Sequence, residues 1–266
     1  MKLSIIVPTI RTHYLPRFLD SLSKSCKNTE YEVVFIGPFD LPEEIKADNI
    51  KFIKSYSTVP CCIQIATLEC SGDIICHAVD DSVFYENSLD FVIDHFVNNF
   101  SKNDAITLTY TENTNNMTHP SKWLVKNISE FDIIRTANPE WTTFVQPMMY
   151  REKFISMGGF DCQFEYSNHS HHDLAFRMNM AGSNVSVSPI PVSYAFHMPD
   201  RTGDHAPICD AQGKDESLFF SKWLSEPEII IDYDNYKNYN GVWNRRFNKE
   251  FKSYQEMYNE NFSNGG

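Results

Sequence analysis

Ser71-Gly72-Asp73-Ile74-Ile75-Cys76-His77-Ala78-Val79-Asp80-Asp81-Ser82 is the stretch that decides how the first half of this chain is read. A serine, a glycine and an aspartate end one helical pattern. Residues 74–79 then run almost continuously apolar, interrupted by His77. Such a run between turn residues reads as a strand buried on both faces. It ends in two adjacent carboxylates. Two like charges at the end of a buried strand are costly unless something positive holds them. A divalent cation is a natural partner, since magnesium and manganese favour carboxylate oxygen and bridge to phosphates. The plainer role for Asp80 and Asp81 is to cap the next helix or turn.

The same alternation continues on either side. Residues 3–7 are strand formers stopped by Pro8, and Leu15, Phe18, Leu19 and Leu22 follow at helical spacing. Residues 31–36, stopped by Gly37-Pro38, and residues 50–53 read as strands, and residues 62–68 as a helix. Leu89, Val92, Ile93, Phe96, Val97 and Phe100 mark one face of an amphipathic helix, and residues 105–110 a fifth strand. Strand and helix in alternation predict an α/β fold, a mostly parallel sheet with helices on both faces. Residues 111–140 are polar and show no clear period. Residues 145–150 suit a strand, Gly158-Gly159 a turn, and residues 173–181 a helix stopped by Gly182.

Beyond Pro199 the composition shifts. Residues 200–214 read as a loop containing Gly203 and Gly213. Tyr236, Tyr239, Trp243, Phe247, Phe251, Tyr254 and Tyr258 recur three or four apart, a face for packing on the core or on a second subunit. The expected division is one domain over residues 1–200 and an aromatic extension over 201–266.

The chain has 266 residues, 35 acidic and 23 basic, with a net charge of -12. That balance excludes nonspecific nucleic-acid binding, which needs a basic face, and docking on an anionic membrane. It leaves room for an anionic small molecule held by a local positive charge. The seven cysteines are odd in number and contain no C-x-x-C pair. They read as buried free thiols of a reducing compartment. No apolar run approaches the ~18 residues of a membrane span, and residues 1–8 are too short for a signal peptide. The expectation is a cytoplasmic chain without a membrane span.

Four segments together resemble family 2 glycosyltransferases of the GT-A fold. Ser4-Ile5-Ile6-Val7-Pro8-Thr9 and the helix after it are similar to the family's opening. Ser71-Gly72-Asp73-Ile74-Ile75, leading to Val79-Asp80-Asp81, resembles its small-Gly-Asp, strand, Asp-x-Asp segment. Gly158-Gly159-Phe160-Asp161 resembles its acceptor-side element, and Asp173-Leu174-Ala175-Phe176-Arg177 the helix that carries or adjoins its catalytic base. The resemblance spans residues 3–197. It implies a Rossmann-like GT-A domain that moves a sugar from a nucleoside-diphosphate donor to a glycan or other hydroxyl acceptor, with inversion and with manganese or magnesium. Asp81 and Asp80 would hold the metal, joined by His197. Pro8, Thr9, Arg11, Asp40, Gln64 and Asp80 would line the nucleotide sugar. Gly159 and Phe160, with Trp123 and Trp141 as stacking platforms, would meet the acceptor, and the loop 200–214 would close over the donor.

The chain also departs from the family pattern. Its second strand ends in Ile36-Gly37-Pro38-Phe39-Asp40, so Asp40 stands displaced from the family's base-contacting aspartates. Ile63-Gln64 takes the place of an Arg-Asn pair, and Val79 that of an aspartate. Ser170 and His171 take the Glu-Asp places before Asp173-Leu174. The base is therefore Asp173 in the first place or His171 in the second, with His172 orienting the carboxylate. Alternatively, Asp173 N-caps its helix. Two other functions compete. One is a nucleotide-sugar-binding protein without catalysis. The other is a zinc-type hydrolase built on His169-x-His171-x-Asp173.

Overall fold

The computed structural model describes residues 1–112, 123–129, 141–142, 144–196 and 206–239. The first half follows the alternation read from the sequence. Strands β1 (Lys2–Pro8), β2 (Glu30–Gly37), β3 (Ile50–Lys54) and β4 (Ile74–His77) alternate with helices α1 (Leu15–Ser25) and α2 (Val59–Glu69). Then come β5 (Ser82–Phe84), α3 (Ser88–Asn99) and β6 (Ala105–Glu112). Short pieces β7 (Trp123–Leu124) and β8 (Trp141–Thr142) pair with each other in parallel. The chain continues through β9 (Pro147–Tyr150), α4 (Arg151–Ser156), α5 (Ser167–Met180), β10 (Val185–Ala195) and α6 (Ala206–Trp223), followed by a 3-10 segment at Tyr233–Asn238.

Eight strands form one sheet in the order β3-β2-β1-β4-β9-β6-β10-β5. The pairs β3-β2, β2-β1, β1-β4 and β6-β10 are parallel, while β9 opposes both its neighbours and β5 opposes β10. The sheet is thus mostly parallel, with helices on both faces. Neighbouring residues of β1 show why: Ile5 belongs to the core cluster that holds Phe18 and Leu22 of α1 and Val92 and Phe96 of α3, while Ile6 belongs to the one that holds residues of α2, α5 and α6. Each face is covered by helices, so the central strands β1 and β4 are buried on both sides.

The Ser71-Gly72-Asp73 corner is built by close backbone approach. A Cβ on Gly72 would collide with Ser4, and the Gly72 amide donates to Ser4 Oγ at 2.8 Å. Buried Glu32 accepts from Ser4 Oγ and from the Ser71 amide. Burial disfavours its charge, but the Ser71 amide and the hydroxyl and Lys51 contacts outweigh it and hold the carboxyl at about 2.

Three boundaries differ from the sequence reading. Helix α5 begins at Ser167, so Asp173 lies inside it and does not cap it. The segment leading into it is held from outside: Asp215 of α6 accepts the Glu165 and Tyr166 amides at 2.9 and 2.5 Å. Strand β10 begins at Val185 despite Pro189 and Pro191. The register shifts around those prolines, and Ser188 Oγ takes the Thr109 amide at 2.9 Å in place of a ladder bond. The loop expected through residue 214 is helix α6 from Ala206 onward. Its stripe Ala211, Asp215, Phe219 and Trp223 is buried at four-residue spacing. The six cysteines whose side chains are described are buried and free. Among the described residues no helix is long and apolar enough to cross a membrane.

Candidate active site

Adjacent parallel strands β1 and β4 end side by side, with Ile6 opposite His77. The loops that follow them meet at the carboxyl edge of the sheet, where open α/β sheets bind ligands. Asp80 organises the meeting. Its Oδ2 accepts from Thr9 Oγ1 at 2.9 Å and from the Ile10 and Arg11 amides at 3.2 and 3.1 Å. Its Oδ1 takes Arg11 Nη2. Arg11 Nη1 reaches Asp81 Oδ2 at 3.4 Å. The three side chains are nearly closed off, at 9%, 3% and 9% exposure for Arg11, Asp80 and Asp81. Among the described residues these three side chains are two carboxylates and one guanidinium, a net negative set in a place of low dielectric.

The rim of this cluster is aromatic. Tyr14 packs edge-on against Phe196 at 4.6 Å, and Arg17 lies 4.2 Å over the Phe196 ring. The Phe196 amide donates to the Asp81 carbonyl at 3.3 Å. Residue 196 is therefore held against Asp81. His197 itself, and the loop residues 197–205, lie outside the described residues.

A second group of residues comes from α5. His171 packs on Phe160 at 4.8 Å and lies 6.2 Å from His77, the last residue of β4. Its Nδ1 contacts the Ser167 carbonyl oxygen. A carbonyl only accepts, so Nδ1 carries the proton and Nε2 carries the lone pair. Nε2 is buried and has no hydrogen-bond partner among the described residues. Burial lowers His171 to about 4, so the imidazole is neutral at pH 7. His172 is lowered further, to about 3, by burial and by neighbouring His169 and His171. His77, which the sequence showed only as a break in an apolar strand, is also neutral through burial and the nearby His171.

Asp173 is wholly buried and fully engaged. Its Oδ2 takes Arg177 Nε at 2.7 Å, and its Oδ1 takes Trp223 Nε1 at 3.1 Å and Lys222 Nζ at 2.8 Å. Burial alone would raise its pKa, but the charges of Arg177 and then Lys222 hold it below the usual carboxylate range. Arg177 reaches on to the Met157 and Gly159 carbonyls at 2.7 and 2.5 Å. The Gly158-Gly159 turn, with φ of +81° and +65°, is thereby pinned from one side.

Gln64 pins it from the other side, which corrects the expectation that Gln64 meets the nucleotide. Its Oε1 accepts the Phe160 amide at 2.8 Å, and its Nε2 donates to the Gly158 and Tyr233 carbonyls at 2.9 and 2.8 Å. Every polar atom of the amide is engaged and the side chain is buried, so none is left for a ligand. Asp40 sits on the open loop after β2 and pairs with Lys54 at 3.0 Å. Trp123 and Trp141 are register partners of the β7-β8 pair.

The His-x-His-x-Asp cluster does not form a metal site. On helix α5, His169 turns to Phe219, His171 to Phe160 and Asp173 to Arg177. Residues two apart on a helix face different ways. Among the described residues no three His, Cys, Asp or Glu side chains converge as a metal-binding group. Sequence reasoning also missed Lys222, Trp223 and Asp215, all on α6. A separate cavity of about 530 Å³ lies beyond Asp161 and Lys222, between α6 and the 3-10 segment, and shares no lining residue with the Asp80-Asp81 cluster.

No family model matches the chain, and no curated protein matches it in sequence. Solved structures do match in shape. S. aureus TarS 1-349 in complex with UDP aligns with a TM-score of 0.57 at 16% identity, covering 99% of this chain and 72% of that one. The mannosyltransferase PcManGT from Pyrobaculum calidifontis, in complex with GDP-Man and Mn2+, aligns with a TM-score of 0.57 at 14% identity, covering 85% and 65%. Against the longer S. aureus TarS structure the TM-score is 0.56 at 14% identity, and the chain spans 44% of its length. TarS and PcManGT are GT-A-type glycosyltransferases. The chain has a GT-A-type fold, as these structures do.

Proposed function

We propose that the chain is a family 2 glycosyltransferase that moves a sugar from a nucleoside diphosphate to a hydroxyl of a glycan or other acceptor, with inversion at the anomeric carbon. The observation that carries this reading is the Arg11-Asp80-Asp81 cluster at the carboxyl ends of β1 and β4. The likeness to glycosyltransferases supports sugar transfer in general. The UDP-GlcNAc and GDP-Man bound by those proteins support a nucleoside-diphosphate donor.

The donor set suits manganese or magnesium. Its atoms are hard carboxylate oxygens, and the cluster keeps a net negative charge with Arg11 included. Asp81 would hold the cation with Asp80 beside it. The Phe196 amide bond to Asp81 supports His197 as a further ligand. A cation bound there supplies positive charge to the departing diphosphate.

The remaining steps belong to side chains. Pro8, Thr9 and Arg11 line the nucleotide side, with Asp40 toward the base. The acceptor oxygen attacks the anomeric carbon, the carbon–oxygen bond to the diphosphate breaks, and the hydroxyl proton passes to His171 Nε2. His171 is preferred to Asp173 because its Nε2 has no partner among the described residues while both oxygens of Asp173 are engaged. Asp173 then acts as a positioning residue, holding the Gly159 carbonyl through Arg177. Phe160 seats the His171 ring, His172 fills the helix interior behind it, and Trp123 and Trp141 stack the acceptor. Residues 206–239 complete the acceptor side of the core formed by residues 1–200.

The test is release of nucleoside diphosphate from a panel of nucleotide sugars with manganese and varied acceptors. One donor should turn over, and His171→Gln should lower that rate about 10²–10⁴-fold with donor binding retained. Binding without release across the panel would make the chain a nucleotide-sugar-binding protein. Unchanged turnover in His171→Gln would remove the base assignment.

A further inference from the structure

The Asp80-Asp81 pair already has a cation, and it belongs to the chain. Arg11 binds both carboxylates, but unequally. At the Asp80 end Arg11 makes two contacts, one from Nη2 and one from its backbone amide at 3.1 Å. At the Asp81 end the guanidinium nitrogen stands 3.4 Å away, the long limit of a hydrogen bond. Asp81 is the carboxylate that a metal would use. A divalent cation on Asp81 Oδ2 and the guanidinium cannot share that place without like-charge repulsion at short range in a nearly dry site.

We propose that Arg11 is the resident counter-ion of Asp80-Asp81 and yields the Asp81 end to a divalent cation that arrives with a nucleoside diphosphate. This rests on the reading under Proposed function. The Arg11 backbone would not need to move, because Asp80 keeps the Thr9, Ile10 and Arg11 backbone and hydroxyl contacts. The side chain alone turns, toward the diphosphate. Charge arithmetic makes the two ligands interdependent. The three side chains themselves sum to one negative charge. Metal alone meets the guanidinium, and diphosphate alone meets the carboxylates. Together they satisfy all three groups. Each ligand therefore tightens the other, by the same factor in both directions.

The experiment measures manganese binding to the full chain by electron paramagnetic resonance of the free ion, with and without UDP or GDP, and without any activity readout. For the unaltered chain, a saturating nucleoside diphosphate should tighten manganese binding about tenfold or more. Arg11→Gln should bind manganese alone about tenfold more tightly than the unaltered chain and lose most of the coupling. Arg11→Lys, which keeps the charge, should exclude manganese nearly as the arginine does, and circular dichroism checks that both variants are folded. Equal manganese affinity in Arg11→Gln and the unaltered chain overturns the proposal, as does Arg11→Lys behaving like Arg11→Gln. If neither UDP nor GDP binds any form while Arg11→Gln still gains manganese affinity, the transferase reading fails and the counter-ion role stands.

Discussion

Replacing Asp173 by Asn probes the most heavily shared carboxylate of the molecule. The side chains are nearly isosteric, so the change removes charge and little volume. Arg177 is wholly buried and keeps its Met157 and Gly159 carbonyl partners, but it loses its ion pair. Breaking a buried pair by removing one partner costs about 3–5 kcal/mol, because the other charge stays buried. The lower end applies here. Lys222 is partly open to solvent and can rely on Asp161, already 2.9 Å away, and the Asn oxygen can still accept from Arg177 or Trp223. A loss of about 3 kcal/mol is a large part of the 5–15 kcal/mol typical of a whole domain. Urea unfolding at pH 7, read as midpoint and slope, measures it. The pH dependence supplies a second check. The folded carboxyl titrates below its unfolded value of about 3.9. Its stabilisation is therefore full above that value and is lost as the pH falls through the folded one. The gap between the two proteins should stay constant from pH 8 to pH 5 and close in stronger acid. A loss below about 1 kcal/mol at pH 7, or a gap that widens in acid, would refute the reasoning.

Two other changes test neighbouring parts of the account. His172 is neutral in the folded chain, at about 3, against about 6.5 when unfolded, so the unfolded state takes up the extra proton and stability declines as the pH falls below about 6.5. Between pH 7 and pH 5 this amounts to about 2 kcal/mol, and His172→Leu should remove that share of the decline. Parallel loss in both proteins would rule the histidine out as its source. Gly159→Ala places a methyl group into Gln64 Oε1 at a φ of +65° and should cost clearly more than Gly182→Ala, where φ is +80° but nothing lies within 4 Å. The second substitution isolates the backbone cost, about 1–2 kcal/mol. Equal losses in urea would show that the Gln64 clamp does not hold the turn.

The strands and first helices were legible because each has a clean period between turn residues: residues 3–7 gave β1 and residues 74–79 gave β4 to within two residues. The direction of β9 was not. Four residues of a central strand look the same whichever way they run, and only their partners Ile74 to Cys76 and Ala105 to Thr107 define it. Helix α6 was hidden because its buried stripe contains Asp215, and a carboxylate breaks an apolar period. The structural reason for that aspartate is fifty residues away, at the start of α5. Gln64 misled in the same way, because its three backbone partners are at Gly158, Phe160 and Tyr233. Within the site, Arg11, Asp80 and Asp81 were readable because strand ends carry the chemistry in this kind of sheet. That Arg11 grips the two aspartates themselves was not, since the side chains come from loops sixty-nine and seventy residues apart.

The central claim is that a nucleoside diphosphate binds at the Arg11-Asp80-Asp81 cluster. Thermal unfolding of the chain and of Asp81→Ala, with manganese and each common nucleoside diphosphate at about 100 times its dissociation constant, tests it directly. Such binding adds about 2.7 kcal/mol of stability. For a chain of this size that is a shift of about 5 °C or more. The account predicts that shift for at least one nucleotide in the unaltered chain and its loss in Asp81→Ala. No shift with any nucleotide, or the same shift in both proteins, would contradict it.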